Sequence, residues 1–315
     1  MPEQAIEKAG ARSPKEKKPS ILKRKKSSVV AARPSDNKAL AKADATSKSP
    51  DKPKPKAYEK LFDMPFGVDE YSTGIKRFNR VPASVIVGTV SGICKVLYRY
   101  KVKNADVLFK EAEKGGVVVI SNHTSYLDVV FMYLSMWPKQ WPRFIARDSL
   151  FQTRGPLGWI FAHIGAFPIK RDTADRSAVK RAARMLKNGE IVGIMPEGSR
   201  RGKGSAVPRV HGGAALIARM GKAPIVPMAV HNVDVVKRKG ERLRFPTVTV
   251  EYGNPVHVSD FDFLPKEDRL DACVWYALRE CFAMFQNKAP EDVDMAALFP
   301  EDKDFTQAFA DHPIK

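Results

Sequence analysis

His123 and Asp128 stand five residues apart in Asn122-His123-Thr124-Ser125-Tyr126-Leu127-Asp128, directly after the apolar run 116–120. A strand that ends at a histidine and then turns into a helix leaves that histidine at a sheet edge, within reach of a substrate. Unperturbed imidazole titrates near ~6.5, so it can be neutral and accept a proton, while a carboxylate on its far nitrogen stabilises the imidazolium that forms. His123 therefore reads as a general base and Asp128 as the group that holds it. Five residues of ideal helix turn through about 500°, which leaves the two side chains roughly 140° apart. The pairing requires His123 in a turn ahead of a helix that begins near Ser125. A second reading accompanies the first: Ser125-x-x-Asp128 is a capping-box pattern, in which Asp128 satisfies backbone donors at a helix start. Both can hold at once.

A second constellation follows about seventy residues later, again directly after an apolar run (191–195): Pro196-Glu197-Gly198-Ser199-Arg200, then Arg201, Gly202, Lys203 and Gly204. Glycines let a backbone approach an anion closely, and arginines supply a planar fork of donors for phosphate. In this order and at this separation the two motifs resemble the glycerolipid acyltransferase superfamily, of the 1-acylglycerol-3-phosphate acyltransferase type, over roughly residues 81–256. Gly165-Ala166-Phe167-Pro168-Ile169-Lys170-Arg171 is similar to the block whose arginine helps hold the glycerol phosphate, and Ala223-Pro224-Ile225-Val226-Pro227-Met228-Ala229-Val230 to the hydrophobic strand block. Lys170 stands where many members carry an acidic residue, and His211 where a lysine is frequent before Gly213. These departures bear on substrate detail rather than on chemistry.

The resemblance implies an α/β fold, with a central mixed, largely parallel sheet flanked by helices. It implies transfer of a fatty acyl group from acyl-CoA or acyl carrier protein to the sn-2 hydroxyl of 1-acylglycerol 3-phosphate (lysophosphatidate), making phosphatidic acid. The acceptor's own hydroxyl is then the nucleophile, so His123 and Asp128 form two thirds of a serine-hydrolase triad and no acyl-enzyme is required. Arg171 and Arg200 would bind the acceptor's phosphate, Glu197 would orient an arginine or the glycerol hydroxyl, and Gly198 would allow close backbone approach, with Asn122 and Ser199 in support. A thioester needs no metal or cofactor to activate it. Within the class the alternatives are glycerol 3-phosphate, another lysophospholipid or an amino-acid lipid as acceptor. Outside it stands a nonenzymatic polyanion-binding protein, which would leave both motifs unexplained. Gly198-x-x-x-Gly202-Lys203-Gly204 falls one residue short of a P-loop and puts Gly204 where a magnesium-binding Ser or Thr belongs.

The elements that must position these residues alternate as in an α/β protein: strands near 117–121, 143–146, 166–170, 191–195, 225–231 and 247–252, and helices near 125–137, 173–186, 213–220 and 266–286. The acyltransferase domain is expected over 106–290, with acidic residues of 291–315 as a solvated tail. Residues 1–60 carry 17 Lys and Arg against 7 Asp and Glu, about half of the chain's net charge of +19, and few aromatic residues, so they read as a disordered basic tail. Such a polycation fits an anionic membrane surface better than nucleic acid, for which no base-stacking or groove-reading motif is present. Residues 61–105 read as an interfacial helical segment: the apolar run 81–94 is interrupted by Lys95 and shorter than the roughly 20 residues a spanning helix needs. Arg77, Arg80, Lys95, Arg99 and Lys101 flank it with Tyr98 and Tyr100, as in an interfacial helix pair, and Trp137, Lys139, Trp141 and Arg143 form a second basic-aromatic cluster that either touches lipid or packs. No secretory signal pattern is visible, so a peripheral enzyme on the cytoplasmic face of the membrane is expected. Cys94, Cys273 and Cys281 lack metal-ligand spacing and read as reduced structural thiols.

Overall fold

The computed structural model describes residues 56–67, 79–152, 156–170, 175–198, 207–237 and 240–314. Its strands are β1 (Lys101–Lys103), β2 (Val117–Ser121), β3 (Arg143–Arg147), β4 (Ala166–Ile169), β5 (Ile191–Ile194), β6 (Ile225–His231) and β7 (Thr249–Tyr252). They form one sheet in the order β1-β7-β6-β2-β5-β3-β4, parallel throughout except for the antiparallel pair β6 and β7. The sheet is thus mixed and largely parallel, as the sequence implied. The centre is read from composition: β2, β5 and most of β6 are unbroken apolar runs, buried along their length, as strands covered on both faces must be.

The larger helices are α1 (Val81–Tyr98), α2 (Ala105–Lys114), α3 (Tyr126–Met136), the short α4 (Ser149–Gln152), α5 (Leu157–His163), α6 (Arg176–Lys187), α7 (Gly213–Gly221) and α8 (Arg269–Gln286). Successive strand residues point to opposite faces. Tyr252 of β7 shares a 2.6 Å hydrogen bond with Ser135 of α3, whereas its neighbour Glu251 pairs with His231, whose ring stacks on Phe285 of α8. Helices α3 and α8 therefore cover opposite faces of the sheet. The Cys281 thiol of α8 donates to the Ile120 carbonyl at 3.4 Å, directly beneath the end of β2.

Three expectations are corrected. The early apolar helix is not a 14-residue run stopped by Lys95: α1 continues for 18 residues, long and apolar enough by length and composition to cross a membrane, and only 22% of it is buried. Lys95 does not end it because a lysine is a good helix former and its ammonium lies out over the Tyr100 ring. The acidic residues of 291–314 are not a solvated tail. They contribute α9 (Met295–Leu298) and α10 (Thr306–Asp311), and Val293, Met295, Phe299, Phe305 and Phe309 are buried, the last two against Trp275 of α8. Apolar residues spaced among the acids supply the surface that composition alone hides.

Of the basic-aromatic cluster expected either to touch lipid or to pack, Arg143 packs: it is wholly buried. Its guanidinium donates to the carbonyls of Phe62 (2.9 Å) and Met64 (3.2 Å) in the strap that precedes α1, while Glu190 accepts the N–H groups of Phe66 and Gly67, each at 2.7 Å. A buried charge of each sign is thereby hydrogen-bonded to main chain, the condition under which such burial is tolerated. The strap, which includes a 3₁₀ turn at Ala57–Phe62, belongs to the core rather than to an interfacial segment, and β1 likewise belongs to the sheet.

Candidate active site

Strands β2 and β5 lie side by side in parallel, with Ile120 opposite Ile194. His123 and Glu197 each lie three residues past that last pair, so the sheet's register sets them at one height above its carboxyl edge. Chain geometry alone brings the two motifs together.

After β2 the chain turns through buried Ser121 and Asn122 into the start of α3. Ser125 is the helix N-cap; its hydroxyl accepts from the Leu127 N–H at 3.3 Å, and Asp128 at N3 completes a capping box. Asp128 Oδ2 accepts the N–H groups of Thr124 and Ser125, each at 2.7 Å, and meets His123 Nδ1 at 3.1 Å. Oδ1 accepts the Thr124 hydroxyl at 3.3 Å. The capping role and the imidazole-holding role are therefore performed by one carboxylate. A negative charge is favoured there by the helix dipole, and because the carboxylate faces Nδ1 at 3.1 Å, Nε2 is the ring nitrogen that Asp128 leaves open. Nε2 is then the nitrogen able to take a proton from a substrate.

Glu197 sits in a tight turn beyond β5, closed by the Gly198 N–H donating to the Met195 carbonyl at 3.1 Å. Gly198 adopts φ +67°, a left-handed conformation that glycine enters without steric cost. The Glu197 carboxylate is buried, and its Oε1 accepts the main-chain N–H of His123 at 2.9 Å. Three successive N–H groups, of residues 123, 124 and 125, are thus bound by two carboxylates. Nothing in the spacing of either motif gives this contact; the only signal for it is the equal offset of His123 and Glu197 from two apolar runs that pair.

Arg171, Ser199 and Arg200 lie outside the described residues, as do Arg201, Gly202, Lys203 and Gly204. The structure therefore brings together His123, Asp128, Glu197, Gly198 and Asn122, and the expected phosphate-binding arginines lie outside the described residues. Cys281, unnoticed as a neighbour of the motifs, backs the site from the sheet's other face; burial pushes its thiol up to about 12, so it stays protonated. Among the described residues no group of three or more His, Cys, Asp or Glu is placed to hold a metal ion.

The family model described as Acyltransferase matches residues 99–231, which include β2, the His123 turn, β5 and β6. The chain is 34% identical over 173 residues to a 1-acyl-sn-glycerol-3-phosphate acyltransferase of Bacillus subtilis, covering 55% of this chain and 82% of that protein. It is 36% identical over 144 residues to a protein of the same name from Streptococcus pneumoniae, covering 45% of this chain and 51% of the relative. The crystal structure of the 1-acyl-sn-glycerophosphate (LPA) acyltransferase PlsC from Thermotoga maritima aligns with a TM-score of 0.47 at 17% identity, over 68% of this chain and 86% of that one. With 82% of the Bacillus protein covered at 34% identity, the chain belongs to the acyltransferase family of the 1-acyl-sn-glycerol-3-phosphate acyltransferase type and is an enzyme of acyl transfer.

Proposed function

We propose that this enzyme acylates the sn-2 hydroxyl of 1-acylglycerol 3-phosphate to give phosphatidic acid, with acyl-CoA or acyl carrier protein as donor and His123 as general base. The observation that carries the reading is the His123 Nδ1 to Asp128 contact of 3.1 Å inside the family-matched segment, which leaves Nε2 for the acceptor hydroxyl. The substrate is taken from the printed names of the relatives. Nε2 removes the hydroxyl proton as the oxygen attacks the thioester carbonyl; the tetrahedral oxyanion collapses, the carbon–sulfur bond breaks, and the departing thiolate receives the proton from the imidazolium. Asp128 stabilises that imidazolium without itself taking the proton. The thioester supplies the driving force, so the reading invokes no cofactor. Arg171 and Arg200 would hold the acceptor's phosphate, with Ser199 and Asn122 in support.

The same reading places the enzyme on the cytoplasmic face of a membrane, touching it rather than crossing it. Both ends of α1 are fastened to the catalytic domain. At one end Arg80 donates to the Phe66 carbonyl at 2.7 Å and lies over the Trp141 ring; at the other Tyr98 is buried against Phe131. Its outer side carries Val81, Val85, Ile93 and Val96, of which Val85 is 64% and Val96 76% exposed. An apolar stripe with Arg80, Lys95, Arg99 and Lys101 around it suits burial about 5–10 Å deep in an anionic headgroup layer. The basic residues that precede the strap would add attraction of about 1 kcal/mol for each one near the surface, before screening.

The test is transfer from acyl-CoA and from acyl carrier protein to lysophosphatidate, glycerol 3-phosphate and a lysophospholipid lacking a phosphomonoester, with intact protein. Product with lysophosphatidate alone supports the assignment. Turnover of another acceptor in its place overturns it, and the donor arm that works names the carrier. For the membrane reading, vesicles of neutral and anionic lipid should separate: binding that fails to depend on anionic lipid or on salt rejects it.

A further inference from the structure

We infer that Glu197 is a positioning residue for the base, acting through the main chain of His123 rather than by binding the acceptor. The inference rests on His123 being the base. Its geometric ground is independent of substrate: Glu197 Oε1 accepts the His123 N–H at 2.9 Å, and the side chain is buried, turned inward to the β2 loop.

The imidazole is held at two levels. Asp128 fixes the ring through Nδ1 and the following backbone through Thr124 and Ser125, but none of its contacts reaches the backbone of His123 itself. Glu197 supplies that remaining point of attachment. Because Ile120 pairs with Ile194, the carboxylate comes from the adjacent strand at the same height, and the Met195 to Gly198 turn, with Gly198 at φ +67°, directs it sideways across the strand gap. Without this bond the His123 main-chain N–H would lose the partner that ties it to the turn beyond β5. A base displaced by a fraction of an ångström loses alignment with the hydroxyl proton, and removing such outer supports from functional groups costs roughly ten- to hundredfold in activity.

The experiment compares E197A, E197Q and E197D with wild type and with H123A, measuring kcat and KM for both substrates. Folding is checked by thermal unfolding, and the His123 amide by its nitrogen–proton NMR shift in labelled protein. The amide oxygen of glutamine still accepts an N–H, so E197Q should recover most of the kcat that E197A loses, roughly ten- to hundredfold, and E197D, too short to reach, should resemble E197A. KM values should stay near those of wild type, and the His123 amide shift should move in E197A and return in E197Q. A raised acceptor KM with unchanged kcat in E197A would show that Glu197 binds the acceptor and overturn the inference, as would unchanged kcat. If E197A does not fold, E197Q decides: a collapse of kcat with the His123 amide unshifted rejects positioning. Full activity of H123A refutes the base itself, a result separable from any Glu197 phenotype.

Discussion

Among the described residues two histidine–carboxylate pairs stand on neighbouring strands, and they differ in a way that composition does not show. His231 at the end of β6 meets Glu251 of β7 at 3.0 Å, as closely as His123 meets Asp128 at 3.1 Å. The two imidazoles are equally covered, with side chains 12% and 11% exposed. Glu251, however, takes Nε2, the nitrogen a base would use, and shares its charge with Lys103 at 3.7 Å, while the His231 ring stacks on Phe285. Asp128 takes Nδ1 and is itself fixed by a helix cap. Glu251 is 20% exposed where Asp128 is 3% exposed, so the carboxylate of the His123 pair is the better shielded of the two. The pair proposed for catalysis is set apart by the ring nitrogen it leaves open and by the helix cap behind its carboxylate.

The sharpest way to break this comparison is to replace each histidine in turn. H123A should lower kcat by roughly 10²- to 10⁴-fold, measured by acyl transfer to lysophosphatidate; near-normal turnover would place the base elsewhere. D128N leaves an acceptor for the cap but disturbs the tautomer, and should cost up to about 10⁴-fold in kcat. D128A should in addition lose about 1 kcal/mol of stability with the cap, seen in denaturant unfolding. Cys281, under the first pair, provides a pH test: an unfolded thiol ionises near 9.0 and the folded one near 12. Its contribution to stability is complete below pH 9.0 and declines as the pH rises towards 12, and native protein at pH 8 should resist iodoacetamide at this site until it unfolds. The smallest effect belongs to the second pair: H231Q should leave kcat within about twofold and cost no more than about 1 kcal/mol, since a partly exposed ion pair contributes little. A large loss of turnover there would erase the distinction.

Much of this was legible in the chain, for reasons that also explain the rest. Strands β2 and β6 occur where their apolar runs place them, and α3 begins one residue past the Ser125 cap because capping chemistry is local. The proximity of His123 and Asp128 was readable because a turn followed by a cap leaves little freedom. Strand β1 was not, since Lys101-Val102-Lys103 is a three-residue edge with exposed side chains and only its pairing with β7 defines it. Phe305 and Phe309 were masked by the acids that flank them, Asp302, Asp304 and Asp311, and Arg143 stood in a basic-aromatic cluster that composition alone could assign neither to lipid nor to packing. The Glu197 contact depends on which strands adjoin, a property of topology that no local window contains.

The level placement of His123 and Glu197 has a consequence for how this chain can change. Each is counted off from a paired isoleucine by three residues, so the site measures its own dimensions in units of chain length. Side chains along the buried strands can drift among apolar types of similar volume, but inserting or deleting one residue between Ile120 and His123, or between Ile194 and Glu197, would lift one partner past the other and turn its side chain away. These two short stretches should tolerate substitution far better than any change of length.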